Sequence, residues 1–277
     1  VAWSRAENGV TKIETRTISA TGALSAVDRL PDTVGASPDG ESTNPVLLTG
    51  PSGTQTLIWR EFGGYVVATK RTGDGDWPAA EIISDSYAVS NPAATLEANG
   101  DVTVVFSLDP GSGSGVGTTT YDASQADWSP VETFTTAGGA SLLRLVSDGN
   151  GGQLATWFAD PGVSSGGWIM RRRAGEAWIA PDKFADDGWF DVAPAVAPLG
   201  GGDLLTTWLS VDPNSLSGGF ATIQAGLSSR IWSAASGTWD DRQEVTTLSE
   251  SSWGIFDLVP LPSGEVVALV QDRAGGV

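Results

Sequence analysis

Five times along the chain a glycine stands six residues before the end of a short apolar run. The pairs are Gly53 and Trp59, Gly100 and Phe106, Gly151 and Trp157, Gly202 and Trp208, and Gly264 and Val270. Each glycine sits between two short apolar stretches, as in "NPVLLTGPSGTQTLIW" and "APAVAPLGGGDLLTTW". That pattern reads as a hairpin whose turn needs positive φ. The run ends are spaced by 47, 51, 51 and 62 residues, and Trp3 lies 56 before Trp59 as the start of a further copy.

A third strand follows in each unit ("TKIETRTI", "YVVATKR", "VGTTTY", "WIMRRR", "LSSRIWS"), then a turn with a second tryptophan (Trp77, Trp128, Trp178, Trp239), then a short fourth strand such as "AAEIIS". Four strands in a meander, repeated at about 40–50 residues, read as the blades of a β-propeller. The expected fold is therefore all-β, with four-stranded antiparallel blades in one domain over residues 1–277. The units run roughly over 1–40, 41–90, 91–139, 140–191 and 192–254, with a partial unit at 255–277. Naming the strands a to d from the axis outward, the chain holds five complete periods but six b strands. It is then five- or six-bladed, or part of a longer array, and closure would bring Val1 near Val277. The tryptophans of both sets recur with the fold period, so they are read as packing between blades.

Composition narrows the function. With no cysteine and no histidine, disulfides, thiolate sites and His-based nucleophilic catalysis are excluded within this chain. A net charge of −18 argues against a phosphate-binding surface, hence against nucleic acid, and no apolar run is long enough to insert in a membrane. The chain does not begin with Met, so a processed form or a piece of a larger protein or assembly is expected. An acidic, Lys-poor composition fits an extracellular or surface-displayed bacterial protein.

Two loop sets could carry chemistry, and in a propeller both fall on one face. After strand b stand Asp109-Pro110, Asp160-Pro161 and Asp212-Pro213, with Glu61 and Asp272 in other copies. Converging carboxylates of this kind could hold Ca²⁺ or act as acid and base on a glycoside, whereas Asp-Pro alone is ordinary turn chemistry. Between strands d and a, Asp85 accompanies Tyr87; Asp186, Asp187 and Asp191 accompany Trp189; Glu250 and Asp257 accompany Trp253. Aromatic rings stack on sugar C–H faces and carboxylates accept sugar hydroxyls, although large aromatics also fill gaps in packing. Tyr87, Asp187, Trp189, Asp191 and Trp253 are the expected ligand contacts. Asp160, Asp212 and Asp257 are the residues an enzyme would use, since the unit around 209–260 departs most from the repeat. Asp109, Asp160 and Asp212 would be the metal ligands. Arg171 to Arg173 form the one basic cluster, read as a solvated outer strand.

The tryptophan after each c–d turn resembles the Asp box (BNR repeat) of sialidase-like propellers, a Ser-x-Asp-x-Gly-x-Thr-Trp turn, and the array is similar to repeats of secreted actinobacterial proteins. "SAASGTW" before Trp239 keeps Ser, Gly and Trp without the acid, and Arg173 stands at the acid position before Trp178. In "RTGDGDWPAAEII" Asp74 and Asp76 precede Trp77 at the same place. This is expected to be a structural turn, because two acids alone make no metal loop. The resemblance implies a propeller that binds a glycan or a protein as a non-enzymatic scaffold, needing no cofactor. The alternative it implies is a glycoside hydrolase or lyase using paired carboxylates.

Overall fold

The computed structural model describes residues 1–7, 10–19, 21–30, 43–50, 53–61, 63–73, 75–84, 92–108, 115–135, 140–148, 151–159, 166–172, 175–183, 190–211, 225–248, 257–261 and 265–269. These residues form antiparallel sheets and almost no helix, in two compact units, Val1–Gly139 and Ala140–Val277.

In the first unit, β1 (Ala2–Glu7), β2 (Val10–Thr15) and β3 (Asp28–Arg29) pair in that order. A four-stranded sheet follows: β4 (Thr43–Thr49), β5 (Thr54–Arg60), β6 (Val66–Thr72) and β7 (Glu81–Ile82). The next sheet holds β8 (Ala93–Leu96), β9 (Val102–Leu108) and β10 (Gly115–Asp122), with both β11 (Asp127–Trp128) and β12 (Glu132–Thr135) paired to β10. The second unit repeats the plan. One sheet is β13 (Ala140–Ser147), β14 (Gln153–Ala159), β15 (Gly166–Arg172) and β16 (Asp182–Lys183). The other is β17 (Phe190–Pro198), β18 (Leu204–Val211) and β19 (Ala225–Ser233), with β20 (Thr238–Trp239) and β21 (Gln243–Leu248) both on β19. A two-stranded sheet of β22 (Asp257–Pro260) and β23 (Val266–Leu269) follows.

Among the described residues, the glycines of the repeat turn the chain as expected. Gly53, Gly100, Gly151 and Gly202 all adopt positive φ, between +75° and +93°; Gly264 lies outside the described residues.

Apolar layers hold neighbouring sheets together within each unit. Leu57 and Trp59 of β5 face Ile13 and Leu30 of the first sheet, while Ile58 between them faces Val102, Val104 and Phe106 of the third. Alternation along one strand thus fills two layers, which is why the b strands read as nearly continuous apolar runs. In the second unit Trp208 joins Leu154 and Ile169, and Leu209 joins Leu258. Trp59, Phe106, Trp157 and Trp208 are at most 2 % exposed. Burying one such ring contributes about 4–6 kcal/mol before the entropy of ordering it.

Trp3, Trp128 and Trp239 are half-buried. Trp128 still packs against the layer of Ile58, Val102 and Phe106, and Trp239 against that of Leu154, Ile169 and Trp208. Trp3 lies on β1, the first strand of its sheet. The inner a strands also carry a feature not foreseen. The registers of β4, β13 and β17 each slip near their starts, between Thr43 and Val46, Ser141 and Arg144, and Val192 and Ala195. Val277, expected near Val1, lies outside the described residues.

Candidate functional site

The antiparallel meander puts the a–b and c–d turns at one end of each sheet and the b–c and d–a connections at the other. The acids and aromatics singled out in the sequence belong to the second end. Tyr87, Asp109, Asp160, Asp187, Trp189, Asp212, Trp253 and Asp272 lie outside the described residues, as do Asp85, Asp186 and Glu250. Asp191 and Asp257 are described in their backbones only, as the second residue of β17 and the first of β22. Backbone topology therefore brings these two to the same end of their sheets as the b–c connections. Glu61, the fully described acid of the set, is 8 % exposed and accepts the indole N–H of Trp59 at 2.7 Å. The tight turn behind it is closed by Glu61 N–H to the Tyr65 carbonyl, 2.8 Å. Its carboxylate serves the packing of the b strand. Among the described residues no group of three acids is gathered as a metal site.

At the other end, the turn around Trp77 is structural. Gly73 takes φ +64° and Asp76 is exposed; Asp74 lies outside the described residues. Trp77 is 5 % exposed and donates its indole N–H to Thr15 Oγ1 at 3.1 Å. The Arg71 guanidinium stacks 4.2 Å from the Trp77 ring centre and bonds Asp28 Oδ2 at 2.8 Å and the Gly75 carbonyl at 3.0 Å. The tryptophan pins the turn against the preceding sheet.

This end also carries an arrangement that occurs twice. In the first unit Lys70 on β6 reaches across to the next sheet and places Nζ 3.9 Å from the Tyr121 ring centre. In the second, Arg171 on β15 places its guanidinium carbon 5.1 Å from the Trp232 ring centre. Register shows the positions to be equivalent: Lys70 and Arg171 pair with Thr56 and Leu154, and Tyr121 and Trp232 pair with Val102 and Leu204. The surrounding frame repeats as well. Asp101 Oδ1 accepts the Ala123 N–H at 2.9 Å, and Asp203 Oδ1 accepts the Ala234 N–H at 2.8 Å. Burial lowers the pKa of Lys70, and Asp101 partly opposes this.

In the second unit this frame opens into a cavity of about 300 Å³. Asp148, Arg171, Trp232 and the glycine pair Gly201–Gly202 line it. Arg171 Nη2 reaches the Gly237 carbonyl at 3.5 Å, so its fork lies along the c–d turn of the neighbouring sheet. Asp148 Oδ1 accepts the Gly152 N–H at 2.9 Å. A Cβ on Gly152 would overlap that carboxylate, so only glycine lets Asp148 lie there. The arginine run is thus not the solvated strand expected: Arg171 and Arg172 are half-buried, the second stacked 5.1 Å from the Trp178 ring centre. Arg173 lies outside the described residues. The sequence did carry a signal for this place, namely Asp148 and Arg171 where the other copy has Gly50 and Lys70.

No protein-family description and no curated protein matches the sequence. The fold, in contrast, has many solved counterparts. An α-L-arabinanase from Penicillium chrysogenum, solved with arabinobiose, superposes with TM-score 0.53 at 14 % identity over 83 % of this chain and 75 % of that one. A lectin from Burkholderia pseudomallei gives TM-score 0.58 at 11 % identity over 99 % and 82 %. The NanB sialidase from Streptococcus pneumoniae gives 0.56 at 12 % over 97 % and 61 %. The chain shares the β-propeller fold of these proteins.

Proposed function

We propose that this chain is an exported or surface-displayed propeller that binds glycans without transforming them, as one module of a larger protein. The observation that carries this reading is the meander, which delivers every b–c and d–a connection to one end of its sheet. Those connections hold Tyr87, Asp187, Trp189, Asp191 and Trp253, the pairing of aromatic faces with carboxylates that suits sugar rings. Counterparts of the same fold include a lectin, an arabinanase and a sialidase, so the architecture is compatible with glycan ligands. The described acid of the set, Glu61, is engaged with Trp59, which leaves less carboxylate for catalysis. Among the described residues, no helix is long and apolar enough to cross a membrane.

The test is a glycan array probed with the whole chain, with and without Ca²⁺, beside Trp189→Ala and Trp253→Ala. Binding that both variants weaken supports the reading, and Ca²⁺ dependence would bring in Asp109, Asp160 and Asp212. Release of reducing sugar from an array ligand, abolished by Asp212→Asn or Asp257→Asn, would replace it with the hydrolase or lyase reading built on Asp160, Asp212 and Asp257. No signal on any glycan would leave a protein partner as the remaining reading.

A further inference from the structure

We infer that the cavity between the two larger sheets of the second unit, β13–β16 and β17–β21, is a binding site for one sugar residue, recognised through neighbouring hydroxyls. It lies at the a–b and c–d end, away from the loop residues of the proposed function, and does not depend on them.

The argument comes from the two copies of the frame. Whatever the fold needs at this place must be present in both. Both have the cation over an aromatic ring: Lys70 over Tyr121 and Arg171 over Trp232. Both have the turn aspartate bound to a backbone N–H, Asp101 to Ala123 and Asp203 to Ala234. Both have the positive-φ glycine pressed on an alanine, where an added Cβ would come within 3.3 Å at Gly100 and 3.2 Å at Gly202. These features are packing.

What differs is what packing does not require. Gly50 in the first copy becomes Asp148 in the second, Thr54 becomes Gly152, Lys70 becomes Arg171 and Asn99 becomes Gly201. The first two changes act together, since the Asp148 carboxylate occupies the space that a side chain at position 152 would fill. The third replaces a point charge by a planar fork of donors. The result is an acceptor held by the Gly152 N–H and a guanidinium laid along the neighbouring turn, both lining one cavity. Adjacent hydroxyls on a sugar ring each donate and accept, and such a pair satisfies them together.

Size selects among ligands, and charge does not: two cations, Arg171 and Arg172, line the cavity beside one anion, Asp148, within a chain of net charge −18, so neutral and acidic sugars are both admitted. A volume near 300 Å³ stands at the small end of ligand sites and holds one ring, not a chain. The ligand is then a free monosaccharide or a terminal sugar residue.

Titration calorimetry of the whole chain with methyl glycosides of arabinose, galactose, mannose, fucose and glucose tests this, with sodium glucuronate as the acidic sugar and arabinobiose as the terminal-residue arm. The variants Arg171→Lys and Asp148→Gly copy the first unit and so keep a side-chain set the fold already tolerates. At least one of these sugars should bind, and each variant should weaken binding by about tenfold or more. Arabinobiose binding as well as or better than the arabinoside would identify a chain end as the source. Two results would each overturn the inference: no binding of any of these sugars, or binding that both variants leave unchanged. A glycan-array signal that Trp189→Ala removes would survive either of these, so the two readings fail separately.

Discussion

Trp59 donates its indole N–H to Glu61, two residues further along the same chain, at 2.7 Å. Both groups are buried, and the Trp59 ring sits in the layer between two sheets. Replacing Glu61 by Ala would leave that N–H without its acceptor in a place water reaches poorly. The expected cost is about 1–3 kcal/mol in urea unfolding. Trp59→Phe combined with Glu61→Ala should cost less than the sum of the two single changes, because the second removes nothing once the donor is gone. Strict additivity would show that the bond is not what Glu61 provides.

Trp77 joins the c–d turn of one sheet to Thr15 on the sheet before it, at 3.1 Å. Its ring is 5 % exposed and carries Arg71 on its face. Trp77→Ala should cost about 3–5 kcal/mol through the cavity it leaves. Trp77→Phe should cost about 1 kcal/mol more than Thr15→Val, since it loses both the bond and part of the ring. A Trp77→Ala variant as stable as the parent would remove the turn from the account of how neighbouring sheets are held.

How far the sequence could be read follows from these two tryptophans. Both repeat with the unit, both follow a positive-φ glycine (Gly53 and Gly73) within six residues, and the period alone reads both as packing. Local chemistry with a period is legible because each copy confirms the others. The Lys70–Tyr121 and Arg171–Trp232 contacts were not, because they depend on which strand of the next sheet stands opposite. A run of three arginines looks solvated until a neighbouring ring covers one of them. Asp148 is hard to read from the sequence for a related reason. It differs from its counterpart Gly50, and a search for likeness between repeats passes over the place where one copy departs.

Asp122 opens the turn after β10 and accepts the Ser124 hydroxyl at 2.7 Å and the Ser124 N–H at 2.8 Å. These bonds, the hydroxyl first, hold its pKa below the usual carboxylate value. Its contribution to stability is present above about pH 4, the ordinary carboxylate range, and is lost as pH falls through the lower folded-state value. Between those two values the unfolded chain binds more protons, so stability rises with pH. Asp122→Asn should flatten the acid side of a Tm-against-pH curve and leave neutral and alkaline pH unchanged in slope. An unchanged acid limb would mean that other carboxylates set it.

Two of the turn glycines distinguish conformational freedom from close approach. Gly53 takes φ +75° with nothing within 4 Å of a Cβ placed on it. Gly202 takes φ +89°, and its Cβ would stand 3.2 Å from the Ala234 Cβ. Gly53→Ala should cost about 1 kcal/mol, the strain of a left-handed alanine alone. Gly202→Ala should cost more, by about 1 kcal/mol, because the turn of the neighbouring strand must give way. Equal losses in denaturant unfolding would show that the contact with Ala234 relaxes freely.

Leu142 holds φ +53° at the register slip of β13, and Asn44 holds φ +57° at the slip of β4. Asparagine tolerates this conformation because its short amide meets local backbone, whereas leucine brings a strained Cβ and no compensating bond. The Leu142 side chain is 48 % exposed, so little apolar burial offsets the strain. Leu142→Asn, copying the first unit, should therefore raise stability by up to about 1 kcal/mol. Leu142→Gly should gain less, because glycine also adds freedom to the unfolded chain. The slip itself should survive both changes, since β17 makes the same slip with Ala193-Pro194 at its centre. If Leu142→Asn lowers the urea midpoint, the leucine contributes packing that outweighs its strain, and the bulge is held by side chains rather than by the backbone.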